Sequence, residues 1–189
     1  MDKTYRTEFR RRYLIEALPE PLTRASCHLQ LFDNYITGTR MRIRTVRDPE
    51  TKQWTWLLQQ RVAAEVTGLM CLKIGEIYLN EAEHKAFEPF EGNEIRKNRY
   101  FHEFDGREFA FDMYLGALWG LNIASVEFPD AVAMERFEMP SFAVFDVTND
   151  KFFLGESLVG KKFEDVRAEV ARIGAAEKGT ARTADNDFG

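Results

Sequence analysis

The chain has 189 residues, 44% hydrophobic and 30% charged, with a formal net charge of −5. That composition suits one globular domain with a buried core. The acidic balance disfavours a nucleic-acid polymer as partner and confines any basic site to a local cluster suited to a small polyanion. No run of about 18 apolar residues predicts a membrane span. Residues 1–6 are not followed by the apolar stretch of a signal peptide. The two cysteines, Cys27 and Cys71, lack metal-ligand spacing, so a cytoplasmic location is expected.

Residues 7–15 alternate in the manner of a half-buried strand, with Glu8, Arg10, Arg12 and Leu14 on one face. Phe9, Tyr13 and Ile15 share the other, with Arg11 the exception. Residues 39–46 repeat the pattern: Arg40, Arg42 and Arg44 oppose Met41 and Ile43. Asp48-Pro49-Glu50 predicts a turn before a strand over 54–61, where Trp54, Trp56 and Leu58 form an apolar face. Residues 69–79 read as a mostly apolar strand. Asn80 with Glu83 is a capping box that opens a short helix to Phe87.

Strands are predicted over 94–104 and 107–115, joined by Asp105-Gly106, a pair suited to a type I′ turn. Parity places Glu103 with Arg99, Glu108 with Asp112, and His102 on the opposite face. A strand over 121–128 follows, then a helix from Asp130 to Phe137. Phe163, Val166, Val170 and Ile173 have helical spacing over 163–173. After Gly174 the Ala, Gly, Thr and Asp content predicts a mobile tail. The tryptophans and phenylalanines are expected in the core. His28, His84 and His102 are too scattered for a zinc site.

Seven or eight strands are thus expected, several with apolar residues on one face and charge on the other. A sandwich would turn that face to solvent; a closed barrel would turn it into the lumen. Periodicity leaves both open.

The order of motifs adds a constraint. Glu8-x-x-Arg11-x-Tyr13-Leu14-Ile15 is followed by Asp33-Asn34-Tyr35-Ile36, Arg40-Met41-Arg42-Ile43-Arg44 and Ile95-Arg96-Lys97-Asn98-Arg99-Tyr100. Phe109-Ala110-Phe111-Asp112-Met113, Val126-Glu127-Phe128 and Val147-Thr148-Asn149-Asp150 complete the series. Over residues 6–172 this resembles the CYTH domain, or triphosphate tunnel metalloenzyme family. The resemblance implies an α+β fold: an eight-stranded antiparallel β-barrel with short helices outside and a C-terminal helix. A single tunnel domain over 1–173 and a polar tail over 174–189 are expected.

It further implies that Arg10, Arg12, Arg40, Arg42, Arg44, Arg61, Lys97 and Arg99 grip phosphates, since guanidinium groups bind phosphate bidentately. Glu8, Asp112 and Glu127 would hold Mg2+ or Mn2+ and serve catalysis.

Each acid pair of the family has lost one member here. The first strand's Glu-x-Glu-x-Lys reads Glu8-x-Arg10-x-Arg12. Ala110 accompanies Asp112, Ser125 accompanies Glu127, and Leu57 occupies the place of an inward Lys. The expected lumen is more basic and poorer in metal ligands than the family pattern. Three functions are consistent with it: metal-dependent hydrolysis of a triphosphate, a non-catalytic nucleotide or polyphosphate sensor, and cyclisation of ATP as in class IV adenylate cyclases. The last needs an adenine pocket and a second metal-binding acid, which the sequence does not reveal. The partner is a small polyanion, not a membrane, and the chain is expected to be a monomer or homodimer.

Overall fold

A computed structural model describes residues 5–186, with side chains described for 5–176. Nine strands form the frame: β1 (Arg6–Leu14), β2 (His28–Tyr35), β3 (Met41–Arg47), β4 (Trp54–Val66), β5 (Leu69–Leu79), β6 (Glu94–Phe104), β7 (Arg107–Tyr114), β8 (Asn122–Phe128) and β9 (Phe145–Asp146). The sheet runs β5-β4-β3-β2-β6-β7-β8-β1 and closes on itself because β1 also pairs with β5. Every pairing is antiparallel. At the closing seam Glu8 stands opposite Leu72, and on the other side Arg10 stands opposite Glu127. The result is an eight-stranded barrel, with β9 added to the end of β1. Closure leaves no long unpaired edge.

Turn chemistry sets the register of two hairpins. Thr67 and Gly68 have φ of 54° and 77°, and Asp105 and Gly106 have 50° and 71°. Positive φ at both central residues matches the twist of the flanking strands.

The charged faces point inward and the apolar faces outward, where they are covered. On one side Tyr13, Tyr100, Phe109, Phe111, Val126 and Phe128 pack with Met134, Phe137 and Phe142. Met134 belongs to α2 (Ala131–Glu135), capped by Asp130, whose carboxylate accepts from the Ala133 N–H at 2.8 Å. The second cluster lies at one end of the barrel. There Leu14, Ile95, Tyr114 and Ile123 meet Phe153, Leu158 and Val166. These last come from a 3-10 turn, from α3 (Gly155–Leu158) and from α4 (Phe163–Asn186). α1 (Glu81–Lys85) carries the predicted capping box, with Glu83 N–H donating to Asn80 at 2.9 Å and Asn80 N–H donating to Glu83 at 2.8 Å.

Several elements differ from the sequence expectation. β2 and β9 were not among the predicted strands, and β4 runs on to Val66. In β2, Leu29, Leu31 and Phe32 put apolar groups on both faces and blur the alternation. α4 continues through 174–186, where composition predicted a tail. Alanines 171, 175 and 176 favour helix, and Gly174 and Gly179 each cost only about 1 kcal/mol relative to Ala. Residues 187–189 lie outside the described residues. Trp54 and Trp119 are about half exposed instead of core. The guanidiniums of Arg47 and Arg24 lie over their rings at 5.5 and 4.5 Å. No helix among the described residues is long and apolar enough to cross a membrane.

Candidate functional site

Alternation along eight strands delivers charge to a lumen of about 340 Å³. Eight basic side chains line it: Arg6, Arg10, Arg12, Arg42, Arg44, Arg61, Lys97 and Arg99. Four carboxylates, Glu8, Glu76, Asp112 and Glu127, share the wall. A fifth, Asp33, is fully buried and bonded to Arg42 and Arg44.

Of the residues predicted to grip phosphate, seven of eight line the lumen. Arg40 does not. It precedes β3 in the turn from β2 and is exposed, and only its backbone carbonyl is engaged, accepting from Arg61 N–H at 3.0 Å. Glu103 and Glu108 lie exposed towards the β6–β7 turn. Leu57 faces the lumen as expected.

The cations are arranged in networks. Asp33 anchors the first. Arg44 donates to both its oxygens, at 2.5 and 2.7 Å, and Arg42 donates at 3.0 Å. Arg42 also donates to Gln59 at 2.7 Å and to the Tyr35 hydroxyl at 3.0 Å. Burial would raise the Asp33 carboxyl, but Arg42, Arg44 and Lys97 outweigh it and hold Asp33 well below the usual carboxylate range.

Asp112 anchors the second network. It accepts from Lys97 at 2.7 Å and from Arg99 twice at 2.7 Å. Burial opposes its charge, yet Arg99 and Lys97 hold it ionised far below its ordinary value. Lys97 is pushed down to about 7, first by burial and then by Arg99, against the pull of Asp112.

The third network spans the β1–β8 seam. Arg10 bridges Glu8, at 3.1 Å, and Glu127. Arg6 approaches Glu8 at 3.6 Å and Arg61 at 3.9 Å. Burial alone would raise Glu8, but these arginines keep it below its ordinary value. One of its oxygens, Oε1, is buried and accepts no hydrogen bond.

Two guanidiniums remain under-compensated. Arg61 makes no side-chain hydrogen bond among the described residues, and its Nε is buried without a partner. Burial, reinforced by the charge of Arg42, brings it down to about 10. Arg12 donates to the Thr148 carbonyl at 2.6 Å and lies 3.7 Å from the Met70 sulfur, with no carboxylate in salt-bridge range.

The three predicted metal ligands do not come together. No group of three His, Cys, Asp or Glu that could hold a metal ion exists among the described residues. Asp112 has both oxygens occupied by cations, and Glu127 sits half-exposed at the mouth against Arg10. The described residues thus offer no all-protein cage for Mg2+ or Mn2+; an ion held here would take one or two carboxylates together with phosphate oxygens and water.

Sequence reasoning missed Asp33, Gln59 and the inward tyrosines Tyr35 and Tyr114 as part of this wall. Asp33 stands opposite Arg44 in the β2–β3 register. Recognising β2 as a strand was the signal that would have found it.

Two crystal structures of the protein NE1496 share the architecture. One, described as an inorganic triphosphatase, aligns with a TM-score of 0.55 at 22% identity, covering 80% of this chain and 93% of that one. The other, described as a hypothetical protein, gives 0.55 and 22%, covering 82% and 99%. No protein-family model matches the chain, and no curated protein matches it. What the two structures share with this chain is the fold. A closed eight-stranded antiparallel barrel with a charged lumen is the triphosphate-tunnel fold that the sequence resembles.

Proposed function

We propose that the lumen binds a linear triphosphate or short polyphosphate, free or attached to an organic group. The observation that carries this reading is Arg61, a largely buried guanidinium whose Nε has no hydrogen-bond partner and whose nearest carboxylate, Glu8, stands 3.9 Å away, in a cavity where cations outnumber carboxylates. Burying an under-compensated charge is costly unless further opposite charge meets it. A polyanion supplies that charge along the wall, with Arg12 and Arg61 taking phosphate oxygens first because they have least to give up. Arg42, Arg44 and Arg99 are already held in place by Asp33 and Asp112, so they are preorganised donors with less side-chain entropy to lose. The triphosphatase NE1496, with the same fold, supports the choice of ligand.

Hydrolysis of the terminal phosphoanhydride by water is the second reading, and Glu8 favours it. Its Oε1 has no hydrogen-bond partner, and in this reading it accepts from the attacking water. The depressed pKa of that carboxyl makes it a weak base, so binding is the stronger reading.

The test is calorimetric titration with sodium triphosphate, ATP and short polyphosphate, alongside phosphate release with and without Mg2+ or Mn2+. Binding without release is expected. Failure of every polyphosphate to bind overturns the proposal, and rapid phosphate release replaces it with the hydrolase.

A further inference from the structure

Resting on that reading, we infer that the lumen is a pouch closed at one end, which accepts the terminus of a linear polyphosphate and excludes chain interiors and cyclic phosphates.

The closed end is built by the segment between β9 and α4. Phe153, Leu154 and Gly155 form part of the lumen wall itself. Phe153 and Leu154 are 2% and 5% exposed. Leu154 packs with Met70, Leu72 and Ile74 on β5, and Phe153 packs into the apolar cluster that joins the barrel end to α4.

Polar ties fix this floor to the strands. Thr148 accepts from the Arg12 backbone N–H at 3.0 Å through its hydroxyl and from the Arg12 guanidinium at 2.6 Å through its carbonyl. Asn149 accepts from Met70 N–H at 2.8 Å and donates to the Gly68 carbonyl at 3.0 Å, which clamps the β4–β5 turn onto the floor. The fit is flush: a Cβ placed on Gly155 would come within 1.7 Å of the Tyr35 hydroxyl. A highly charged chain threading through would have to displace this apolar, hydrogen-bonded floor.

The other end differs. Beyond Arg10, Arg99 and Glu127 the wall continues into a second hollow lined by Gly106, Arg107 and Glu108 at the β6–β7 turn. Entry is therefore from that side, and the last phosphate of the chain comes to rest against Arg12 and the floor. A polymer offers only its two ends to such a site, whatever its length. A phosphate ring offers none.

Calorimetry with linear triphosphate, cyclic trimetaphosphate and long-chain linear polyphosphate tests this. Linear triphosphate is expected to bind, and trimetaphosphate at least about tenfold more weakly. Long chains should saturate at two protein molecules per chain regardless of length, and chains with both ends blocked by bulky phosphoramidates should not bind. Stoichiometry that grows with chain length, or equal affinity for the ring, overturns the pouch while leaving polyphosphate binding intact. No binding by any of these ligands removes both readings.

Discussion

Arg42 and Arg61 face the same cavity with opposite circumstances, and substitutions should separate them. Arg42 donates to Asp33, Gln59 and Tyr35. Arg42→Ala leaves buried acceptors unpaired, and a loss of about 1–3 kcal/mol in unfolding free energy is expected. The lower range applies because Asp33 keeps Arg44 at 2.5 Å. Arg61 has no such bonds, and Glu8, 3.9 Å from it, keeps Arg10 at 3.1 Å, so Arg61→Met should leave stability nearly unchanged. Triphosphate affinity should fall by about 1–3 kcal/mol in Arg61→Met. Denaturant titration and calorimetry on both variants check this; a strongly destabilised Arg61→Met would show that the guanidinium is structural.

Lys97 supplies the pH dependence. With its pKa near 7 in the free protein, it loses its proton as pH rises through neutrality. A polyanion favours the ammonium form, so binding should take up a proton, and affinity should decline between about pH 6 and 8. Proton uptake is read by calorimetry in buffers of different ionisation enthalpy, and Lys97→Met should abolish it. For stability the sign is opposite to that of a stabilised lysine. The folded pKa lies below the unfolded value, so the unfolded chain binds the extra proton between about 7 and 10.5. This group's contribution therefore makes stability rise with pH across that window.

At the scale of elements, the β1–β8 seam decides what the lumen can hold. Arg10 stands opposite Glu127 and Arg12 opposite Ser125. Arg10→Glu together with Ser125→Glu would place new carboxylates beside Glu8 and Glu127 on one wall and remove the cation that now bridges them. Mn2+ affinity should appear in this double variant and be absent from the parent, measured by the paramagnetic signal of free Mn2+. No gain would mean that the wall cannot gather oxygen donors even when it carries them.

The same seam shows what was legible in the sequence. Glu8, Arg10 and Arg12 alternate strictly, so their shared face could be read, as could Arg42 with Arg44 and Lys97 with Arg99. Asp33 could not. Its partners Arg42, Arg44 and Lys97 lie on two other strands, and only the register of three strands brings them to it. The closing segment 147–158 has no periodicity of either kind, and its role depends on the ends of strands remote in sequence. Helix α4 runs past its sequence signal: Gly174 and the polar residues after it read as a stop, but the neighbouring alanines sustain the helix.

On the scale of the whole molecule, two fields oppose each other. The protein carries −5 overall, and a triphosphate is itself strongly anionic. At a distance the two repel. Within the lumen, basic side chains outnumber carboxylates and the surroundings are poorly solvated, so attraction there is strong and weakly screened. Salt should therefore leave both rate constants steady or modestly raised, for two separate reasons. The Debye length shrinks from about 30 Å at 0.01 M to about 10 Å at 0.1 M, which removes long-range repulsion before it reaches into the pouch. The association rate constant is expected to hold steady or rise over that range, whereas steering by a basic surface would make it fall steeply. The dissociation rate constant should increase only modestly, because the gripping groups are buried. Stopped-flow displacement of a fluorescent triphosphate analogue at several salt concentrations distinguishes the cases. A steep fall in association with salt would mean that the ligand is drawn by an exposed basic surface, and the ion-paired interior of the barrel would then be only its structural core.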